Sequence, residues 1–239
     1  MRLIGCARRL LGPVAWLAAC GAIVALAQDR FVPARYRDGA PPQLPIRALG
    51  GGEVWLELTV SSVGAVSSVR VLRATPPFTE ALAQAVRPWR FAPAEDAVDP
   101  APGRADEPAR RRPVDSKVLV AGLFRPPTLN TPTLGETPRD LASASDEIPV
   151  PLATVMPGYP PLARDSGIAL VEVEVDSRGD VVDARAIRPS PPFDGPAVEA
   201  ARQWKFRPAR LHGSPVDMLA YIAFGFRQPV TIVPQRGAE

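Results

Sequence analysis

Apolar and polar residues alternate most regularly at two places in the chain. Val54, Leu56, Leu58 and Val60 interleave with Trp55, Glu57 and Thr59, and Ala169, Val171, Val173 and Val175 interleave with Glu172, Glu174 and Asp176. A period of two predicts a strand with one buried face. Each run reaches a turn, at Ser61 to Gly64 and at Ser177 to Asp180, and then a returning strand, carried by Val66, Val69 and Val71 and by Val181 to Ile187. Two hairpins are expected. The period then lengthens. Leu82, Ala85, Val86 and Trp89, and later Ala197, Ala200, Ala201 and Trp204, fall on single helical stripes. Pro88 helps to end the first helix, because the residue before a proline is pushed out of the helical region. Pro161 to Asp165 predicts a further short helix closed by Gly167. Val118 to Phe124 and Met218 to Arg227 supply closing strands, the second after a turn at His212 to Pro215. The resulting fold class is α+β, with two small domains, each a three-stranded antiparallel sheet packed against one or two helices.

The two series are copies of one pattern. A shift of 115 residues lays Val54–Ala94 on Ala169–Ala209 without a gap, with 16 identities in 41 positions, including Gly64 on Gly179, Pro76-Pro77-Phe78 on Pro191-Pro192-Phe193, and Trp89 on Trp204. Downstream the shift becomes 102, pairing Pro113-Val114-Asp115 with Pro215-Val216-Asp217, so the first copy carries an insertion. Two copies are too few for a solenoid. The expected organisation is a leader at 1–27, an extended Pro- and Gly-containing tether at 28–42, a first domain at 43–127 with an inserted, solvated mixed-charge loop at 95–112, a linker at 128–150 and a second domain at 151–233.

The leader has Arg2, Arg8 and Arg9 ahead of an uncharged apolar run from Leu10 to Ala27. It reads as an export signal with three fates: cleavage after Ala27, lipidation at Cys20, or retention as an inner-membrane anchor. All three place the domains outside the cytoplasm, with a periplasmic location first. Of 28 basic residues three lie in the leader, leaving 25 to balance 25 acidic ones, which argues against nucleic acid as a partner. Both cysteines, Cys6 and Cys20, also lie there, so the remainder forms no disulfide.

Side-chain chemistry is sparse. His212 is the single histidine, and without a second histidine or a thiol no zinc set assembles, so neither metal nor cofactor is expected. Glu172 and Glu174 share a strand face as ordinary solvent-facing charges, and Gly50-Gly51-Gly52 precedes a strand instead of following one, which suits a flexible joint and no phosphate cradle. Trp89, Phe91, Trp204 and Phe206 are expected in the cores. No enzymatic activity is expected.

Tyr159-Pro160, the strand ending at Asp176 before Gly179, the helix with Ala200-Ala201, the run from Trp204 to Ala209, and Gly213 with Pro215-Val216 together resemble the C-terminal domain of TonB energy transducers. The resemblance covers about 70 residues of the second copy, while the first has Leu44 at the tyrosine position. It implies a non-enzymatic periplasmic protein-binding protein linked to energy-dependent transport across the outer membrane. The last strand would be an unpaired sheet edge, and Met218, Leu219, Ala220, Tyr221, Ile222, Ala223, Phe224 and Phe226 would take a partner segment, such as an outer-membrane transporter peptide, by strand addition. Tyr159 and Pro160 match the family's entry motif and would either help to form that surface or anchor the first helix of the second domain. Transducers of this kind usually carry a histidine in the anchor and a long spacer, whereas Leu10 to Ala27 has no histidine and the 28–42 tether reaches only roughly 45 Å. The alternative is an envelope scaffold or lipoprotein whose duplicated domains pair with each other, or with those of another chain, and transduce no energy.

Overall fold

A computed structural model describes residues 30–45, 48, 50–98, 110–126 and 143–229. The leader at 1–27, most of the inserted loop, residues 128–142 of the expected linker and residues 230–233 lie outside that set. In chain order, β1 (Phe31–Val32) and β2 (Arg35–Asp38) lead into β3 (Gly52–Val60), β4 (Val66–Arg73), α1 (Phe78–Val86), β5 (Arg90–Ala92), β6 (Ala94–Val98), β7 (Arg110–Val114) and β8 (Ser116–Phe124). The second half runs through β9 (Val150–Ala153), β10 (Gly167–Val175), β11 (Val181–Ala186), α2 (Asp194–Ala201), β12 (Lys205–Arg207), β13 (Ala209–Leu211), β14 (Ser214–Val216) and β15 (Met218–Phe226). The fold is α+β, as the residue periods predict.

The hairpins form where the turns require them. Gly64 and Gly179 have φ of 79° and 93°, which suits glycine. A Cβ there would lie 2.0 Å from the Phe91 carbonyl oxygen and 1.9 Å from that of Phe206. The glycine carbonyls in turn accept hydrogen bonds from the Phe91 and Phe206 amides at 2.8 and 2.9 Å. Each half thus ties its hairpin turn to the strand after its helix in the same way. Alanines 197, 200 and 201 are buried, letting α2 sit close on β10.

The halves do not hold separate sheets. Six strands form one sheet in the order β11-β10-β15-β8-β3-β4, antiparallel throughout except for the central β15-β8 pair, which is parallel. A parallel central pair turns the halves' faces opposite ways. The core under α1 therefore includes Leu170, Tyr221 and Ala223 of the second half, and the core under α2 includes Trp55, Leu119, Ala121 and Leu123 of the first.

Several expectations are corrected. The tether is ordered from residue 30: β1 pairs with β6, β2 pairs with β5, and Ala34 is buried. The loop at 95–112 is a hairpin at its base, where Ala94–Val98 pairs with Arg110–Val114. From residue 143 the expected linker packs against the sheet, with Ile148 and Val150 buried beside Trp55 and Leu119. Pro161 to Asp165 makes a turn, closed by the Ala163 amide on the Pro160 carbonyl, because β10 already begins at Gly167 and leaves less than two helical turns, too few to offset the cost of nucleating a helix. Gly52 already belongs to β3. Among the described residues no helix is long and apolar enough to cross a membrane.

Candidate functional site

Strand β15 lies at the residues predicted for it, but it is not an edge. Met218 to Phe226 pairs antiparallel with β10 along its whole length, and Ala220 to Gly225 pairs parallel with Leu119 to Phe124 of β8. All nine of its residues are buried. Among the described residues the edge strands of the sheet are β4 and β11 instead. The physical reason is composition: with MLAYIAFGF opposite SKVLVAGLF, neither strand has a polar face for water, and their pairing hides both. Lack of alternation was the signal in the sequence.

Around the ends of β15 the aromatic residues are packed tightly. Phe193 stacks on Phe226 at 4.8 Å, and Tyr159 meets Phe193 at 6.2 Å. The Tyr159 hydroxyl donates to the Asp165 carbonyl at 2.8 Å, so Tyr159 and the buried Pro160 anchor the turn before β10. Trp89, Phe91, Trp204 and Phe206 are core residues, as expected. The Trp89 and Trp204 indole N–H groups donate to the carbonyls of Ala40 and Val155, fastening the segment ahead of each half.

Glu172, expected in solvent, is buried, and so is Glu57 at the equivalent place of the first half. Glu172 is 3% exposed and Glu57 is 4% exposed, because the segments 30–45 and 143–156 cross the sheet face opposite each helix. Arg185 donates twice to Glu172 Oε1, at 3.0 and 2.8 Å, and this bond raises the arginine above its ordinary range. Arg70 holds Glu57 equivalently, at 2.6 Å. Each carboxylate then holds a crossing segment. Glu57 Oε2 accepts the Ser145 amide at 3.0 Å, and Glu172 meets Arg35 at 3.5 Å. The Tyr221 hydroxyl donates to Glu172 Oε2 at 3.2 Å and accepts the Tyr36 amide at 2.7 Å. Burial first, and the neighbouring Glu172 charge second, push the Tyr221 phenol well above its ordinary value. Sequence reasoning missed this clasp, although Glu57/Arg70 and Glu172/Arg185 repeat at the common shift.

His212 sits in the β13–β14 turn at φ 51°, bordering an open cleft of about 520 Å³ with Arg30, Asp96, Asp115 and Glu147. Glu147 pairs with Lys117 and Asp115 accepts the Ser62 amide, so these groups serve packing. Among the described residues no group of three or more His, Cys, Asp or Glu is placed to hold a metal.

Residues 156–227 match the family model described as the Gram-negative bacterial TonB protein C-terminal. Over 80 residues the chain is 35% identical to a Protein TonB of Vibrio cholerae serotype O1, a match covering 31% of this chain and 33% of that protein. The chain thus spans about a third of the length of that curated relative.

Proposed function

We propose, from the premise that residues 156–227 form a TonB C-terminal domain, that this chain is a non-enzymatic, exported envelope protein that binds protein partners in energy-dependent transport across the outer membrane. Its halves are two copies of that domain type, the first degenerate, and they act as one closed unit. The observation that carries the closed unit is the position of β15 between β10 and β8, while the transport role is argued from the family match of residues 156–227. Strand addition needs free N–H and C=O groups, and on β15 both ladders are occupied. A partner therefore meets the assembled six-stranded unit, and Met218 to Phe226 act as the joint between halves. A periplasmic location suits a leader with three arginines ahead of an uncharged apolar run.

Hydrogen exchange on the intact protein tests the closed unit. Amides of Met218 to Phe226 should exchange only with global unfolding, as slowly as those of β3 and β10. Fast exchange confined to β15 would restore the open edge and remove this reading. The transport assignment is tested separately: a strain lacking the chain should lose energy-dependent uptake through the outer membrane and recover it with the full chain.

A further inference from the structure

The segment from Arg30 to Pro45 is held less deeply than the equivalent segment of the other half. Strand β2 pairs with β5 at three positions, Arg35 with Ala92, Tyr36 with Phe91 and Asp38 with Arg90, as β9 does with β12, but β2 has no buried residue whereas Val150 and Pro151 of β9 are buried. Ala34 is buried, Tyr36 is half-buried, and the Arg35 side chain is 54% exposed. By contrast β15 has nine buried residues and two complete neighbours. Local opening begins where buried area and ladder length are smallest. This strap is such a place.

What lies beneath it is a recognition surface. Leu170, Tyr221 and Ala223 form an apolar floor, and the Glu172 carboxylate stands at one side. Trp89 and Phe91 form the wall, meeting the Tyr36 ring edge-on at 5.2 and 6.1 Å. The strap answers each feature in turn. Ala34 is small enough for the floor, Arg35 faces Glu172, and the Tyr36 amide reaches the Tyr221 hydroxyl. Gly39 lies flat on the indole, where a Cβ would be 2.2 Å from Trp89 Cδ1, and its carbonyl accepts from the Tyr36 hydroxyl at 2.6 Å and from Arg188.

The equivalent place in the other half keeps the buried glutamate, Glu57, but lacks the tyrosine pair. Pro151 stands where Tyr36 does, with no amide proton to donate, and Leu119 stands where Tyr221 does, with no hydroxyl to accept. Side chains hold the second crossing segment too, Glu57 through the Ser145 amide and Glu53 through Thr154, but no tyrosine pair like Tyr36 and Tyr221 joins that segment to the sheet.

We propose that the groove between β5 and the β10–β15 pair is a peptide-binding site, that residues 30–40 fill it as the chain's own ligand, and that an external extended segment competes for it. The competing segment carries a small, a basic and an aromatic residue in succession, followed by glycine three positions later. The groove is distinct from the β15 ladder, so the inference stands or falls apart from the proposed function.

The test uses the full chain carrying Arg35→Ala and Tyr36→Ala, titrated with a fluorescent peptide of residues 29–42 and followed by anisotropy. The variant chain should bind the peptide at least tenfold more tightly than the unaltered chain, whose own strap competes. A peptide with alanine at both positions should not bind, and adding Glu172→Gln to the variant chain should weaken binding of the natural peptide at least tenfold. Equal binding by variant and unaltered chains, no binding by either, or equal binding of both peptides overturns the proposal. Should the double variant fail to fold, a full chain with a protease site inserted beside the exposed Gly50 answers the same question after cleavage. Exchange of its cut strap for the labelled peptide supports the site. A cut strap that never exchanges, or whose loss unfolds the protein, overturns it.

Discussion

Gly225 offers a test of the joint between halves, because everything that a side chain there would strike belongs to the other half or to the segment ahead of it. A Cβ built on Gly225 lies 2.6 Å from Phe124 Cδ1 and 2.9 Å from Leu44 Cδ2. Phe124 cannot swing away: it is fully buried and stacked on Phe78 at 4.5 Å. Gly225 is not among the positive-φ glycines, so in an uncrowded strand Gly225→Ala would stabilise by about 0.4–1 kcal/mol through the unfolded chain. Overpacking a filled core costs about 1–3 kcal/mol, which reverses the sign. Urea denaturation should therefore show Gly225→Ala destabilised by about 1–2 kcal/mol. Phe124→Leu frees space beside the new methyl group, so a double-mutant cycle should return a favourable coupling of about 1 kcal/mol. If Gly225→Ala is stabilising and the cycle gives no coupling, the halves do not share the β8–β15 joint in solution.

Three further outcomes follow from the same contacts. Tyr221→Phe removes the acceptor of the Tyr36 amide and a donor to Glu172, and should lower stability by about 1–3 kcal/mol in urea denaturation; a change near zero would mean that the clasp holds nothing. The Tyr221 phenol is raised above the ordinary tyrosine value in the folded state, so its contribution is complete below about pH 10 and declines as pH rises toward the folded value. Denaturation midpoints should fall in that alkaline range, and Tyr221→Phe should flatten the fall. Gly179→Ala should destabilise more than Gly213→Ala, since a Cβ at 179 would lie 1.9 Å from the Phe206 carbonyl oxygen whereas one at 213 meets nothing within 4 Å; thermal melts of the two variants, both at positive φ, separate contact from backbone strain.

The apolar periods of Val54–Val60 and Ala169–Val175, the glycines at both turns and the proline after the first helix determined the local elements, because each is a property of a few neighbouring residues. The motif from Tyr159 to Val216 likewise pointed to the domain type from residue identity alone. The core aromatics Trp89 and Trp204 were legible for the same reason. Tertiary structure decided everything that depends on what crosses a sheet from elsewhere in the chain. Glu57 and Glu172 alternate like solvent-facing residues, and only the segments folded over them make them buried clasps. The tether likewise becomes a strap because β5 and Tyr221 lie within its reach. Whether Met218–Phe226 ends a sheet or joins two turned on a partner strand about a hundred residues away in sequence, at Leu119–Phe124. Side-chain pattern reports that a strand is buried on both faces, but lateral backbone hydrogen bonds are made by groups common to nearly every residue, so sequence alone does not name the neighbour.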